Sequence, residues 1–183
     1  MSAPRGDLDA LTSRLIRDVP DFPAPGVMFK DISPLLADHA GFTAVVDALA
    51  DVGRDDKGTV VVDKVAGIEA RGFILAAPVA LLLGVGFVPV RKAGKLPGVT
   101  HSQSYALEYG EATLEVAQDA FSRRDRVLVI DDVLATGGTV TATTKLIERC
   151  GAQVSAVAVL IELGFLSGRA ALGNQRLHAI TVM

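Results

Sequence analysis

The chain has 183 residues and 19.1 kDa, one domain or one with a small appendage, and half of it is apolar, enough for a sizeable core. A net charge of −3 with a pI near 5.6 excludes the global basic field of a nucleic-acid binder. The single cysteine, Cys150, excludes an internal disulfide framework and fits a reducing cytoplasm, and the mixed charges of MSAPRGDLDALTSR are not those of a signal peptide.

A helical pattern opens the chain at Leu8, Leu11, Leu15 and Ile16. Residues 19–34, VPDFPAPGVMFKDISP, carry four prolines and a glycine, so no regular element is expected; the stretch is nonetheless apolar enough to pack. Residues 41–52 read as an amphipathic helix, 59–68 (TVVVDKVAGI) as a strand, 71–83 as a helix and 86–91 as a strand. The uncharged run 72–90 is long enough to suggest a membrane span. Pro78, Gly84, Gly86 and Pro89 punctuate it, however, so a buried helix followed by a short strand is expected and no membrane partner. Residues 92–113 are polar and glycine-bearing and read as a loop or flap; 126–132 is a strand, 138–149 a helix, 153–163 a strand and 177–182 a last one. Apolar strands alternating with helices predict an α/β fold, a central parallel sheet with helices on both faces. Ligands of such sheets bind beyond the carboxyl ends of the strands.

Three strand ends carry unusual residues. The first is VLVIDDVLATGGTV, 127–140. Asp131 and Asp132 emerge where the buried strand ends, and as neighbours on a strand they are expected to face opposite sides. Glycines in ATGGT let the backbone wrap an oxyanion, and a following helix presents unpaired N–H groups to it, with hydroxyls from Thr136 and Thr139. One part of the motif suits a phosphate and the other suits hydroxyls or a metal-bound water, a demand that a sugar phosphate meets. The lysine of a P-loop is missing, and GxGxxG is absent. The second strand end is GIEARGF, 67–73, with Arg71 at a helix start, a good place for a diphosphate. The third is PVRKAGKLPG, where Arg91, Lys92 and Lys95 form a basic cluster in an acidic protein. His39, His101 and His178 are dispersed; no Cys/His cluster points to a structural metal and no Ser-His-Asp triad is evident.

VLVIDDVLATGGT resembles the phosphoribosyl-diphosphate (PRPP) motif of the type I phosphoribosyltransferases. DFPAPGVMFKDISPLL, GIEARGF, GVGFVPVRKAGKLPG and SYALEYG are similar, in order, to segments of the family's adenine-using branch. The resemblance implies a cytoplasmic purine-salvage enzyme, a single domain over 1–183 with an N-terminal arm and hood (1–35) and a PRPP-binding core (36–183) bearing a flap at about 92–112. It implies conversion of adenine and PRPP to AMP and pyrophosphate, Mg²⁺ bound mainly through PRPP, no nucleic-acid partner and a homodimer. Carried over by position, Asp131 and Asp132 would hold the ribose hydroxyls, and Ala135, Thr136, Gly137, Gly138 and Thr139 would cradle the 5′-phosphate. Arg71, Arg91, Lys92 and Lys95 would meet the pyrophosphate, and the resemblance leaves open whether the Arg91, Lys92 and Lys95 cluster does so within its own chain or across a dimer interface. A cis non-proline bond is expected near Arg71. Met28 and Lys30 would read adenine with their backbones, beside Phe29. Glu108 would take the purine proton in a flap that also holds Tyr109. Where the family usually has arginine this chain has Lys30, a change that matters only if the side chain contacts phosphate. Two other readings stay open: transfer to xanthine or hypoxanthine, and a PRPP-sensing regulator that binds nucleic acid. The acidic balance and the lack of a DNA-binding domain before the hood count against the second.

Overall fold

A computed structural model describes residues 5–106 and 110–183 of the chain, in two compact units, Met1–Ala48 and Leu49–Met183. In the first unit α1 (Arg5–Leu15) lies where the apolar spacing placed it and buries Leu8 and Thr12, with Ile16 just beyond its end also buried. The Thr12 hydroxyl, which an apolar interior would leave unsatisfied, donates back to the Leu8 carbonyl at 3.0 Å. The proline-rich stretch is not wholly irregular. Arg17–Val19 (β1) pairs antiparallel with Phe29–Asp31 (β2), Val19 opposite Phe29. Strands of three residues are too short to show alternation, and Pro20, Pro23 and Pro25 fall in the connection, where no ladder hydrogen bond is lost. The Phe22–Pro23 bond in that connection is cis. Helices α2 (Ser33–Ala37), with Pro34 in its first turn, and α3 (His39–Asp51) follow.

The second unit is built on a seven-stranded sheet. Its strands are β3 (Lys64–Ile68), β4 (Gly86–Lys92), β5 (Thr100–Ala106), β6 (Glu111–Ala117), β7 (Arg126–Leu134), β8 (Gln153–Glu162) and β9 (Leu177–Val182), in the order β5-β6-β4-β3-β7-β8-β9. From β4 to β9 all pairs are parallel, as the apolar runs predicted. Helices α4 (Arg71–Leu83) and α5 (Gly138–Arg149) have the bounds read from the sequence. Ala66, Ile68, Val127, Val129, Val157 and Val159 share one core with Leu146 and Ile147 of α5. Gly67, one residue out of phase in β3, meets Ala76 of α4, so the two helices cover opposite faces. Asp63 holds the entry to β3 and β7: Arg126 donates to it through Nε and Nη2, both at 2.9 Å.

Two expectations are corrected. β3 begins only at Lys64, although the β-branched run starts at Thr59. Val60 instead bridges back to Arg54, and the Val61 N–H bonds Gly53 O at 2.9 Å, so these residues close a turn. The polar run expected as a loop contains the β5/β6 hairpin, paired antiparallel from Thr100↔Ala117 to Ala106↔Glu111. Only one face of it meets the core, through Leu114 and Val116, and the other carries Ser104 and Thr113, whose hydroxyls are 2.8 Å apart. That half-solvated alternation reads as loop polarity. Among the described residues no helix is long and apolar enough to cross a membrane.

Candidate active site

β7 carries its apolar residues into the core and releases the chain at Leu134, on the carboxyl edge of the sheet. Residues 135–137 then turn into α5. Gly137 sits at the helix start with φ 86 and ψ −6, a left-handed conformation that glycine adopts without cost. The first intrahelical bond is Thr141 N–H to Gly137 O at 2.9 Å, so the N–H groups of Gly138, Thr139 and Val140 have no acceptor within α5. They and the helix dipole favour an anion there. Ala135, Thr136, Gly137 and Thr139 line a cavity of about 60 Å³. The Tyr105 ring of β5 lies over Gly138, its Cδ2 3.1 Å from where a Cβ would stand, and the Thr139 hydroxyl donates to the Tyr105 oxygen at 3.2 Å. Tyr105 was not foreseen: nothing near it in sequence marks a partner in the loop.

Asp131 and Asp132 are both buried, 8 % and 6 % exposed. They do not diverge as expected; both meet the start of α4. A Cβ on Gly72 would stand 2.9 Å from Asp131 Oδ1, and Arg71 Nε lies 2.7 Å from Asp132 Oδ2. The Asp132 N–H donates to Asp131 Oδ1 at 2.9 Å. Burial, then the charge of Asp132, pushes the Asp131 carboxyl well above the usual range. Asp132 Oδ2, though beside Arg71, accepts no well-aligned hydrogen bond. The pair is therefore short of donors, and a diol or a hydrated cation would supply them.

The Glu69–Ala70 peptide bond is cis, in the segment where the resemblance led it to be expected. Nothing within GIEARGF marks Glu69 for a task. It organises the basic cluster. Lys95 Nζ donates to Oε1 at 2.6 Å, the Lys92 N–H to Oε2 at 2.9 Å and Arg91 Nε to Oε2 at 3.3 Å. Arg91 also donates through Nη1 to the Lys95 carbonyl at 3.1 Å. Arg91 and Lys95 are thus brought together, while Lys92 enters through its backbone and its side chain is exposed. Arg91 and Lys95 together outnumber the Glu69 carboxylate, while Arg71, two residues on, is paired with Asp132, a setting suited to a diphosphate. Burial alone would raise the Glu69 carboxyl; the Lys95 ammonium, the Lys92 N–H and the Arg91 guanidinium overcome it and hold it at about 2, against an ordinary 4.5. A depressed carboxylate stabilises the fold above its unfolded value and loses that contribution as pH falls. Glu69→Gln is therefore expected to be less stable than wild type at neutral pH, with the gap closing as pH falls from 4.5 towards 2. Urea melts across that range measure it; a gap independent of pH would contradict the ion network.

Met28, Phe29 and Lys30 belong to the N-terminal unit. Met28 is exposed, Phe29 stacks edge-on against Phe22 at 5.0 Å, and Lys30 Nζ pairs with Asp18 at 2.6 Å. Glu108 and Tyr109 lie outside the described residues.

The fold is that of a phosphoribosyl transferase: the family model described as the phosphoribosyl transferase domain matches residues 32–176, and the chain belongs to that family of enzymes. Its relatives are more particular. A Nocardioides protein named adenine phosphoribosyltransferase is 72 % identical over 160 residues, 87 % of this chain and 86 % of its own. The crystal structure of adenine phosphoribosyltransferase from Rhodothermus marinus is 45 % identical with a TM-score of 0.91, covering 97 % of this chain and 99 % of that one. That of the Saccharomyces cerevisiae enzyme, complexed with an imino-altritol bisphosphate and adenine, is 34 % identical with the same TM-score of 0.91, covering 96 % and 99 %.

Proposed function

We propose that the chain transfers the phosphoribosyl group of PRPP to adenine, giving AMP and pyrophosphate in purine salvage. One observation carries the transfer chemistry: a donor-poor aspartate pair set between an anion-binding helix start and a cationic turn. High identity to proteins named for adenine supports the choice of base. In this reading residues 135–139 cradle the 5′-phosphate, Asp131 and Asp132 accept from the ribose 2- and 3-hydroxyls, and Arg71, Arg91, Lys92 and Lys95 face the diphosphate. Met28, Phe29 and Lys30 belong to the adenine side. Because the Lys30 ammonium is engaged by Asp18, a backbone role for this residue is favoured over a side-chain contact to phosphate. The single domain, with arm and hood over 1–35 and core over 36–183, belongs to the same reading, as do a cytoplasmic setting and the absence of a nucleic-acid partner.

The reaction substitutes at the anomeric carbon. Its bond to the diphosphate oxygen breaks, positive charge grows on the ribose, and a purine nitrogen forms the new bond while losing a proton to Glu108. Buried carboxylates beside the ribose and cations beside the leaving group stabilise both partners of that charge separation. Among the described residues no three Asp, Glu, His or Cys side chains group to hold a metal. The donor set fits Mg²⁺ carried by PRPP, since this ion keeps waters and substrate oxygens and needs only one or two carboxylates nearby. When bound, Mg²⁺ neutralises the diphosphate. The homodimer is supported by α4, which leaves Ile74, Leu81 and Leu82 exposed at 44 %, 83 % and 45 %.

The test is Mg²⁺- and PRPP-dependent AMP formation from adenine, run against hypoxanthine, xanthine and guanine. Preference for another base would overturn the substrate, and no product from any base would overturn the reading. Within it, Arg71→Ala should impair PRPP use and AMP pyrophosphorolysis, with adenine affinity within a few-fold of wild type. Losing the guanidinium also leaves Asp132 unpaired in a buried site, so an effect of 10²-fold or so in kcat/KM for PRPP is expected, about 3 kcal/mol. If only adenine binding suffers, Arg71 belongs to the base side.

A further inference from the structure

The phosphate loop rests on a segment to which no role has been given. After β8 the chain makes a 3₁₀ turn (Gly164–Leu166) and a one-turn helix, α6 (Gly168–Ala171). A Cβ on Gly168 would stand 2.1 Å from the Ala135 carbonyl oxygen and 3.1 Å from Leu134 Cγ. A Cβ on Gly137 would stand 2.7 Å from Gly168 O and 2.9 Å from Ala171 Cβ. Loop and segment therefore touch backbone to backbone, with a glycine on each side. Nothing larger fits at either position without moving one of them.

An ion pair between a buried carboxylate and a half-exposed guanidinium fixes that segment. Glu162 closes β8 opposite Leu134, the residue at which β7 becomes the loop, and the next N–H, of Leu163, donates to Leu134 O at 2.9 Å. The Glu162 side chain is 8 % exposed. Arg169, adjacent to Gly168, grips it with a two-pronged fork, Nε to Oε1 at 2.9 Å and Nη2 to Oε2. A guanidinium and a carboxylate match in this geometry as no other side-chain pair does. The fork thus ties the strand edge that launches the loop to the segment that supports it. Neither side chain belongs to the set lining the loop cavity.

We infer that Arg169 and Glu162 are positioning residues for the phosphate loop: their ion pair clamps Gly168 against Ala135 and Gly137, holding the loop in its anion-binding shape before substrate arrives. A loop of Ala-Thr-Gly-Gly has little internal restraint, and ordering it upon binding would cost conformational entropy. Clamped in advance, it spends less of the binding energy. The inference rests on the reading of residues 135–139 as the 5′-phosphate cradle, and it concerns binding of the phosphate rather than the chemical step.

The test is calorimetric titration of ribose 5-phosphate into wild type, Arg169→Ala, Arg169→Lys and Glu162→Gln, with steady-state kinetics alongside. Arg169→Ala is expected to raise the Kd for ribose 5-phosphate and the KM for PRPP about tenfold, the equivalent of about 1.4 kcal/mol of loop ordering now paid at binding, with kcat within about threefold. Arg169→Lys should recover only part of the loss, because an ammonium cannot form the fork. A fault of packing alone would lower the melting temperature without this split between KM and kcat. If Arg169→Ala does not fold, Glu162→Gln decides the matter, since it keeps volume and removes charge. A folded variant with wild-type Kd and KM overturns the inference alone. A wild-type chain that binds no ribose 5-phosphate overturns the cradle and the inference with it.

Discussion

Gly137→Val is expected to remove PRPP binding, by about 10²-fold or more, while the protein still folds. A β-branched residue at φ 86 carries strain of about 1–3 kcal/mol. Its Cβ would also press on Gly168 O, 2.7 Å away, and on Ala171 Cβ, 2.9 Å away, both in a segment fixed by the Arg169–Glu162 pair. Overpacking of this kind costs another ~1–3 kcal/mol. The cheapest escape is for the loop to turn its N–H groups away from the cavity, and each 1.4 kcal/mol lost is about tenfold in affinity. The fold survives because β7 and α5 are anchored elsewhere, through Val127, Val129, Leu146 and Ile147, which are fully buried. Calorimetric titration of PRPP, with circular dichroism as the folding control, decides it. Unchanged affinity in the folded variant would remove the loop from the binding site.

The same geometry explains why some of the site was legible in the sequence and some was not. Asp131, Asp132 and the glycine pair declare themselves because a strand end, a turn and a helix start follow one another within VLVIDDVLATGGTV, although the partners of the two aspartates, Arg71 and Gly72, lie far away in the chain. The bounds of α4 and α5 were legible for the same reason, since glycines stand beside them. Glu69 was visible but mute, because its partners Arg91 and Lys95 lie 22 and 26 residues away and only the β3/β4 pairing brings them to it. Gly168 and Arg169 carry no local signal at all. Their meaning depends on contact with a loop some thirty residues earlier, which no periodicity or turn rule encodes. The opposite-face expectation for the aspartates failed because it treated β7 as an isolated strand; the start of α4, packed against its end, draws both carboxylates to one place. The β5/β6 hairpin was not legible because only one of its faces meets the core, and that half-polar pattern reads as loop.

Glu108→Gln should slow the chemical step by ~10²–10⁴-fold, the usual cost of losing a general base. Glu108 lies outside the described residues, so the expectation rests on its place in SYALEYG. β5 ends with Tyr105 bonded to Thr139 and with Ala106 O 3.5 Å from the Cβ position on Gly138. Glutamine keeps the size and hydrogen-bonding shape of glutamate and removes the basicity. Binding of PRPP alone should hold within a few-fold, because the proposed phosphate, ribose and diphosphate contacts involve other residues. The loss should therefore fall on kcat rather than on the KM for PRPP. Slow flap opening would mask part of it in steady state, so single-turnover AMP formation is the measurement to make. A chemical step in Glu108→Gln within a few-fold of wild type would assign the proton to water or to another group, leaving Glu108 to order the flap over a site from which water must be excluded.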